Sequence, residues 1–125
     1  MSRKSDALAI VEQLIAAWES LDPQAVVACF AADGVWHNMP YAEIAGHDRI
    51  AAAVAGFLAD TAECRFEIRH LAEIAPGVVI AERVDIFRSE SGPELRLPVM
   101  GIFEVRDGLI QVWRDYFDSK PFNPA

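Results

Sequence analysis

Residues 78–88 read Val78-Val79-Ile80-Ala81-Glu82-Arg83-Val84-Asp85-Ile86-Phe87-Arg88, and the fold turns on them. Every second side chain from Val79 to Phe87 belongs to one set: Val79, Ala81, Arg83, Asp85, Phe87. A period of two is the mark of a strand, whose side chains alternate between its faces. Upstream, Cys64 to Ile74 alternates too, with Cys64, Phe66, Ile68, His70, Ala72 and Ile74 on one side. Pro76-Gly77 separates these two strands. Downstream, Ser91-Gly92 leads into a strand over Leu95–Arg106, and Asp107-Gly108 is a hairpin signal before a fourth over Leu109–Asp118. Turns this short make the four strands antiparallel neighbours.

The first half has a different period. Leu8, Val11, Leu14, Ile15 and Trp18 recur at helical spacing, predicting an amphipathic helix over about 6–20 with Ser5 as N-cap. Asp22-Pro23 starts a short helix, with a capping carboxylate and then proline where no amide is needed. Gly34–Asn38 reads as a short extended piece, and a third helix covers about 47–59. Helices followed by a meander predict an α+β domain spanning 1–125, a strongly curved antiparallel sheet wrapped around N-terminal helices. The hollow between the layers is the natural place for a ligand. Ser119–Ala125 holds two prolines and is expected to cross the surface or fold over one end.

Composition narrows the function. The 125 residues are 53% hydrophobic and 24% charged, a globular mixture able to form a core. The formal charge of −8 offers no basic patch for nucleic acid and disfavours anionic membranes and phosphorylated ligands. A neutral apolar small molecule is the expected partner. Cys29 and Cys64 form no CxxC pair and read as buried free thiols in a reducing, cytoplasmic setting. No stretch approaches the ~18 apolar residues of a membrane span. His37, His47 and His70 show no metal-ligand spacing, and no Gly-rich phosphate loop follows a strand, so no metal or nucleotide cofactor is expected. His37 alternates away from Asn38; His70 reads as a core histidine; Gly101 reads as a bulge or sharp bend.

The informative residues are charges on an apolar face. Arg83 and Asp85 share parity with Val79, Ala81 and Phe87, and Asp115 shares parity with Trp113 and Phe117. Leu95, Leu97, Val99, Phe103 and Val105 form an apolar face between them. Isolated ions there would cost several kcal/mol each. An Asp–Arg–Asp set pairs them, because the guanidinium fork can hold two carboxylates. Such a set either fixes strand register or performs acid–base chemistry, with one carboxylate protonated as acid and the other ionised as base. The even positions Ile110, Val112 and Tyr116, with Met100 and Ile102 alongside, form a second apolar face, which a homodimer packed sheet to sheet would cover.

Arg83-Val84-Asp85, Trp113-Arg114-Asp115-Tyr116-Phe117-Asp118 and Asn38-Met39-Pro40, in this order, resemble the limonene-1,2-epoxide hydrolase family from the first helix to Phe122. The resemblance implies the cone fold of nuclear transport factor and ketosteroid isomerase relatives, a dimer, and one-step metal-free hydrolysis of a small hydrophobic epoxide to a vicinal diol. It implies Asp85 as general acid on the epoxide oxygen, Asp115 as general base on water, Arg83 as the bridge and Asn38 as a holder of the water. The family places a tyrosine two residues before that asparagine; here it is Trp36, whose indole can donate but cannot accept. Phe87, Leu97, Val99 and Phe117 are expected as pocket wall, with Phe122 as a lid. Two other readings stand beside this one. A ketosteroid-isomerase- or polyketide-cyclase-like enzyme would want a tyrosine donor in the pocket, and Tyr41 and Tyr116 are the tyrosines. A non-catalytic binder of small hydrophobic ligands would not need three inward charges.

Overall fold

The computed structural model describes residues 5–122. The remainder of the tail expectation, at 123–125, lies outside the described residues. Three helices precede the long strands: α1 (Asp6–Glu19), α2 (Pro23–Ala28) and, after β1 (Phe30–Asn38) and the short β2 (Ile44–Ala45), α3 (His47–Leu58). Four long strands follow: β3 (Thr61–Ala75), β4 (Val78–Ser89), β5 (Glu94–Arg106) and β6 (Leu109–Tyr116). The caps are those the sequence predicts. Ser5 accepts from the Leu8 amide, and Asp22 accepts from the amides of Gln24 and Ala25, with Pro23 at the start of α2. Asp107 and Gly108 both have positive φ, 54° and 75°, the pair that a tight turn between twisted strands requires.

The six strands form one curved, unclosed sheet in the order β2-β1-β6-β5-β4-β3. The α+β class and the curved sheet around N-terminal helices stand as expected, with one amendment. β1 is longer than the expected Gly34–Asn38 piece, and it pairs with β6 in parallel. Parallel neighbours need a long connection, and the whole chain between them supplies it. This register sets Trp36 beside Trp113 and Asn38 beside Asp115, and the Met39 amide donates to the Asp115 carbonyl at 2.9 Å.

The core lies between helices and sheet. Val11, Leu14, Val26, Ile50 and Val54 from the helices meet Phe30, Val79, Ala81, Phe103 and Trp113 from the strands. The Phe66 amide donates to Glu19 Oε2 at 2.9 Å and so ties the end of α1 to β3.

Two irregularities redirect side chains. A register shift between Ile68 and His70 moves His70 to the surface, where Nδ1 lies 2.7 Å from Glu82 Oε1, and turns Leu71 toward the core. The core reading of His70 is therefore wrong; strict alternation carries only to the bulge. A second shift between Glu104 and Val105 inverts the start of β6: Leu109 is exposed and Ile110 is buried. Gly101 is not a bulge, because its pairing with Ala81 and Asp115 is regular. Met100 and Tyr116 remain exposed on the outer face. Both cysteines are buried free thiols. Among the described residues no helix is long and apolar enough to cross a membrane.

Candidate active site

β4 and β6 carry the three inward charges. Arg83, Asp85 and Asp115 are 1%, 4% and 5% exposed, the buried charged residues of the described chain. Arg83 Nε donates to Asp85 Oδ1 at 2.7 Å and Nη2 to Asp85 Oδ2 at 3.2 Å. The same Nη2 donates to Asp115 Oδ2 at 2.5 Å. One guanidinium thus holds two carboxylates, the arrangement expected from parity. Its planar face lies 5.0 Å from the Phe66 ring centroid and 5.7 Å from that of Trp113. Buried charge is tolerated here because each ion has a partner.

Gly101 makes this possible. It sits on β5 between Ala81 and Asp115, where the guanidinium crosses the strand. A Cβ there would come within 2.6 Å of Asp115 Oδ1 and closer still to Arg83 Nη1.

The two carboxylates differ. Burial pushes the Asp85 carboxyl up to about 6; Arg83 opposes that rise and Asp115 reinforces it. Burial also works against the Arg83 charge, but the two carboxylates outweigh it and keep the guanidinium protonated. Asp115 has a further donor, Trp113 Nε1, at 2.6 Å from Oδ1.

These carboxylates face a cavity of about 320 Å³. Asp85, Asp115, Asn38, Trp36, Phe87, Leu97, Val99, Phe117 and Phe122 all line it, as the sequence predicts. Arg83 is not in the lining; it sits behind the carboxylates it holds. Trp36 stacks on Trp113 with ring centroids 5.5 Å apart and meets Trp18 edge to face at 5.6 Å, and its Nε1 is buried with no hydrogen-bond partner. Phe117 and Phe122 pack edge to face at 6.0 Å across the mouth.

Sequence reasoning missed several members. Trp113 was legible as an inward residue but not as a donor to Asp115; the signal was its place two residues before that aspartate on one strand face. Trp18 of α1 and Ala53 and Phe57 of α3 line the cavity only through the docking of helices on the sheet. Tyr41, Ile44 and Phe66 complete the wall. The histidines lie apart: His37 Nε2 is 2.9 Å from the Tyr41 carbonyl and His47 Nε2 is 2.8 Å from that of Phe30. Among the described residues no cluster of three or more His, Cys, Asp or Glu could hold a metal.

Known proteins share this architecture. Residues 11–113 match the SnoaL-like domain family. The chain is 33% identical over 110 residues to the epoxide hydrolase EphG of Mycobacterium tuberculosis, covering 86% of this chain and 70% of that protein. Among solved structures, an M. tuberculosis epoxide hydrolase of the limonene-epoxide-hydrolase-like type superposes with a TM-score of 0.80 at 29% identity, over 90% of this chain and 83% of the other. A SnoaL-like polyketide-cyclase-type protein from Shewanella denitrificans superposes with a TM-score of 0.85 at 14% identity, over 97% and 96% of the two chains, a likeness of fold alone. By matched sequence and matched structure, the chain belongs to the SnoaL-like domain family and is a homologue of an epoxide hydrolase.

Proposed function

We propose that the chain is a cofactor-independent epoxide hydrolase that adds water to a small hydrophobic epoxide in one step, giving a vicinal diol. The observation that carries this reading is the buried Asp85–Arg83–Asp115 set facing an apolar cavity. Asp115, ionised, takes a proton from water as its oxygen attacks a ring carbon. The carbon–oxygen bond breaks, and Asp85, protonated, delivers its proton to the ring oxygen. Asp85 leaves the step as the anion and Asp115 as the acid, and exchange with solvent restores them. The elevated Asp85 carboxyl supplies the acid, and the Arg83 and Trp113 donors orient the Asp115 carboxylate. Asn38, beside Asp115 in the β1–β6 register, positions the water, with the Trp36 indole as neighbour. Each positioned proton transfer contributes on the order of 10²–10⁴ in rate.

A ketosteroid-isomerase- or cyclase-like proton transfer is the second reading, favoured by Tyr41 in the cavity lining. The proposal includes a homodimer through the outer sheet face, where Met100 and Tyr116 are exposed; light scattering should return twice the 13.8 kDa chain mass. The test of the reaction is diol formation from limonene oxide, styrene oxide and cyclohexene oxide. Wild type should form diol, and Asp85→Asn and Asp115→Asn should each abolish it. Diol formation that survives both substitutions refutes the mechanism.

A further inference from the structure

The cavity wall carries information about its ligand beyond the acid–base set. Nine of the sixteen lining residues are aromatic. Two of these rings are already engaged, because Phe66 and Trp113 lie against the Arg83 guanidinium. The others surround the cavity. On the inner side Phe57 meets Phe87 edge to face at 4.9 Å, and Trp18 meets Phe57 edge to face at 5.9 Å. At the mouth Phe117 and Phe122 form another edge-to-face pair. These mutually perpendicular rings present both positive edges and negative faces to whatever lies between them.

Exposure separates this wall from ordinary core packing. Phe57 and Phe122 are 39% and 38% exposed, although both line the cavity. Large aromatic surface left open around a concavity marks a binding site rather than a finished core. Size adds a limit. At ~30 Å³ per water-sized group, 320 Å³ holds roughly ten such groups, one ring with a short substituent.

We propose that the substrate is an aryl epoxide, a single aromatic ring carrying a short epoxide-bearing arm, with the ring held among Trp18, Phe57 and Phe87 and the arm directed at Asp85 and Asp115. This rests on the hydrolase reading for the reaction but on the aromatic wall for the ring. A flat π ring gains edge-to-face contacts here that a saturated ring of the same size does not. Each such pair is worth roughly a 2–10-fold factor in binding.

The test compares benzyl oxirane with cyclohexylmethyl oxirane. They have the same number of non-hydrogen atoms, and the methylene spacer keeps the aromatic ring from activating the epoxide electronically. The readouts are kcat/KM for each epoxide and Kd for each product diol, followed by tryptophan fluorescence. Wild type should favour the aryl member at least 3-fold in both readouts, and Phe87→Leu and Phe57→Leu should each bring the aryl-to-saturated ratio down towards 1. Equal kcat/KM and equal Kd for the pair overturn the aryl inference and leave the hydrolase reading intact. An aryl preference in Kd with no turnover of either epoxide upholds the aryl site and overturns the hydrolase. Failure of both diols to bind overturns the aryl site itself.

Discussion

Replacing Gly101 by alanine tests the geometry of the charged set with a single methyl group. Gly101 does not have the positive φ found at Gly46, Gly77 and Gly108, so alanine fits the backbone there without strain. What it lacks is space. The new Cβ would lie 2.6 Å from Asp115 Oδ1, where ordinary contact begins at 3.4 Å, so the oxygen must retreat by about 0.8 Å. Arg83 Nη1, nearer still, must move as well. Asp115 is held at 2.5 Å by Arg83 and 2.6 Å by Trp113, and a shift of that size can stretch either bond beyond the usual range of about 2.7–3.2 Å and weaken it. Misplacement of a reacting group by ~1 Å costs on the order of 10²-fold in rate. Overpacking of this kind destabilises by about 1–3 kcal/mol, a fall in Tm of ~3–10 °C for a domain of this size. The assay is kcat for diol formation together with a thermal melt. Gly56→Ala is the control: its Cβ would meet nothing within 4 Å, in the body of α3, so it should leave kcat unchanged and raise Tm slightly. A Gly101→Ala protein with wild-type kcat and wild-type Tm would refute the claim that this position exists to seat the guanidinium.

Other outcomes follow from the same contacts. Because burial raises the Asp85 carboxyl to about 6, its acid form prevails below that pH, and kcat/KM should fall about tenfold per pH unit above it; a flat profile from pH 5 to 8 would exclude Asp85 as the acid. Trp113→Phe removes the indole donor from a buried carboxylate, a bond worth about 1.5–3 kcal/mol, so kcat should drop roughly 10–100-fold while circular dichroism stays native. Burial pushes the Cys64 thiol up to about 12 and also raises Cys29, so a disulfide reagent at pH 8 should titrate neither in the native protein and both in guanidinium. Trp36 Nε1 has no partner to strand, so Trp36→Tyr should cost only packing, about 1–2 kcal/mol, and should raise kcat/KM for bulkier epoxides relative to small ones.

Much of the site was legible because strands simplify geometry. Parity alone put Arg83 and Asp85 on one face and Asp115 with Trp113, and the structure joins them through one guanidinium. The caps at Ser5 and Asp22 were legible for an equally local reason. Parity failed where a residue was inserted into a ladder. His70 and Ile110 each lie just past a register shift, and alternation counted across such a shift assigns the wrong face. The parallel β1–β6 pairing was illegible because pairing of distant strands leaves no mark in either strand alone. Trp18 and Phe57 reach the cavity by tertiary docking of helices, which the helical period does not specify. Gly101 looked like a bend because a glycine in a strand signals missing side-chain volume without saying what occupies it.

The pairing of the first strand with the last also dictates when the site can exist. Asn38 and Trp36 leave the ribosome well before Asp115 and Trp113, their register partners. At roughly 5–20 residues per second, the early strand waits several seconds for the strand that completes it. Until then Trp36 has Trp18 at its edge but lacks the Trp113 ring it stacks on. The complete carboxylate set therefore exists only once the last strand is made, and pairing across so much sequence is the slow kind. A chain stalled or truncated before residue 113 would hold Asp85 and its arginine, yet lack Asp115 and the rings of Trp113, Phe117 and Phe122 that complete the cavity.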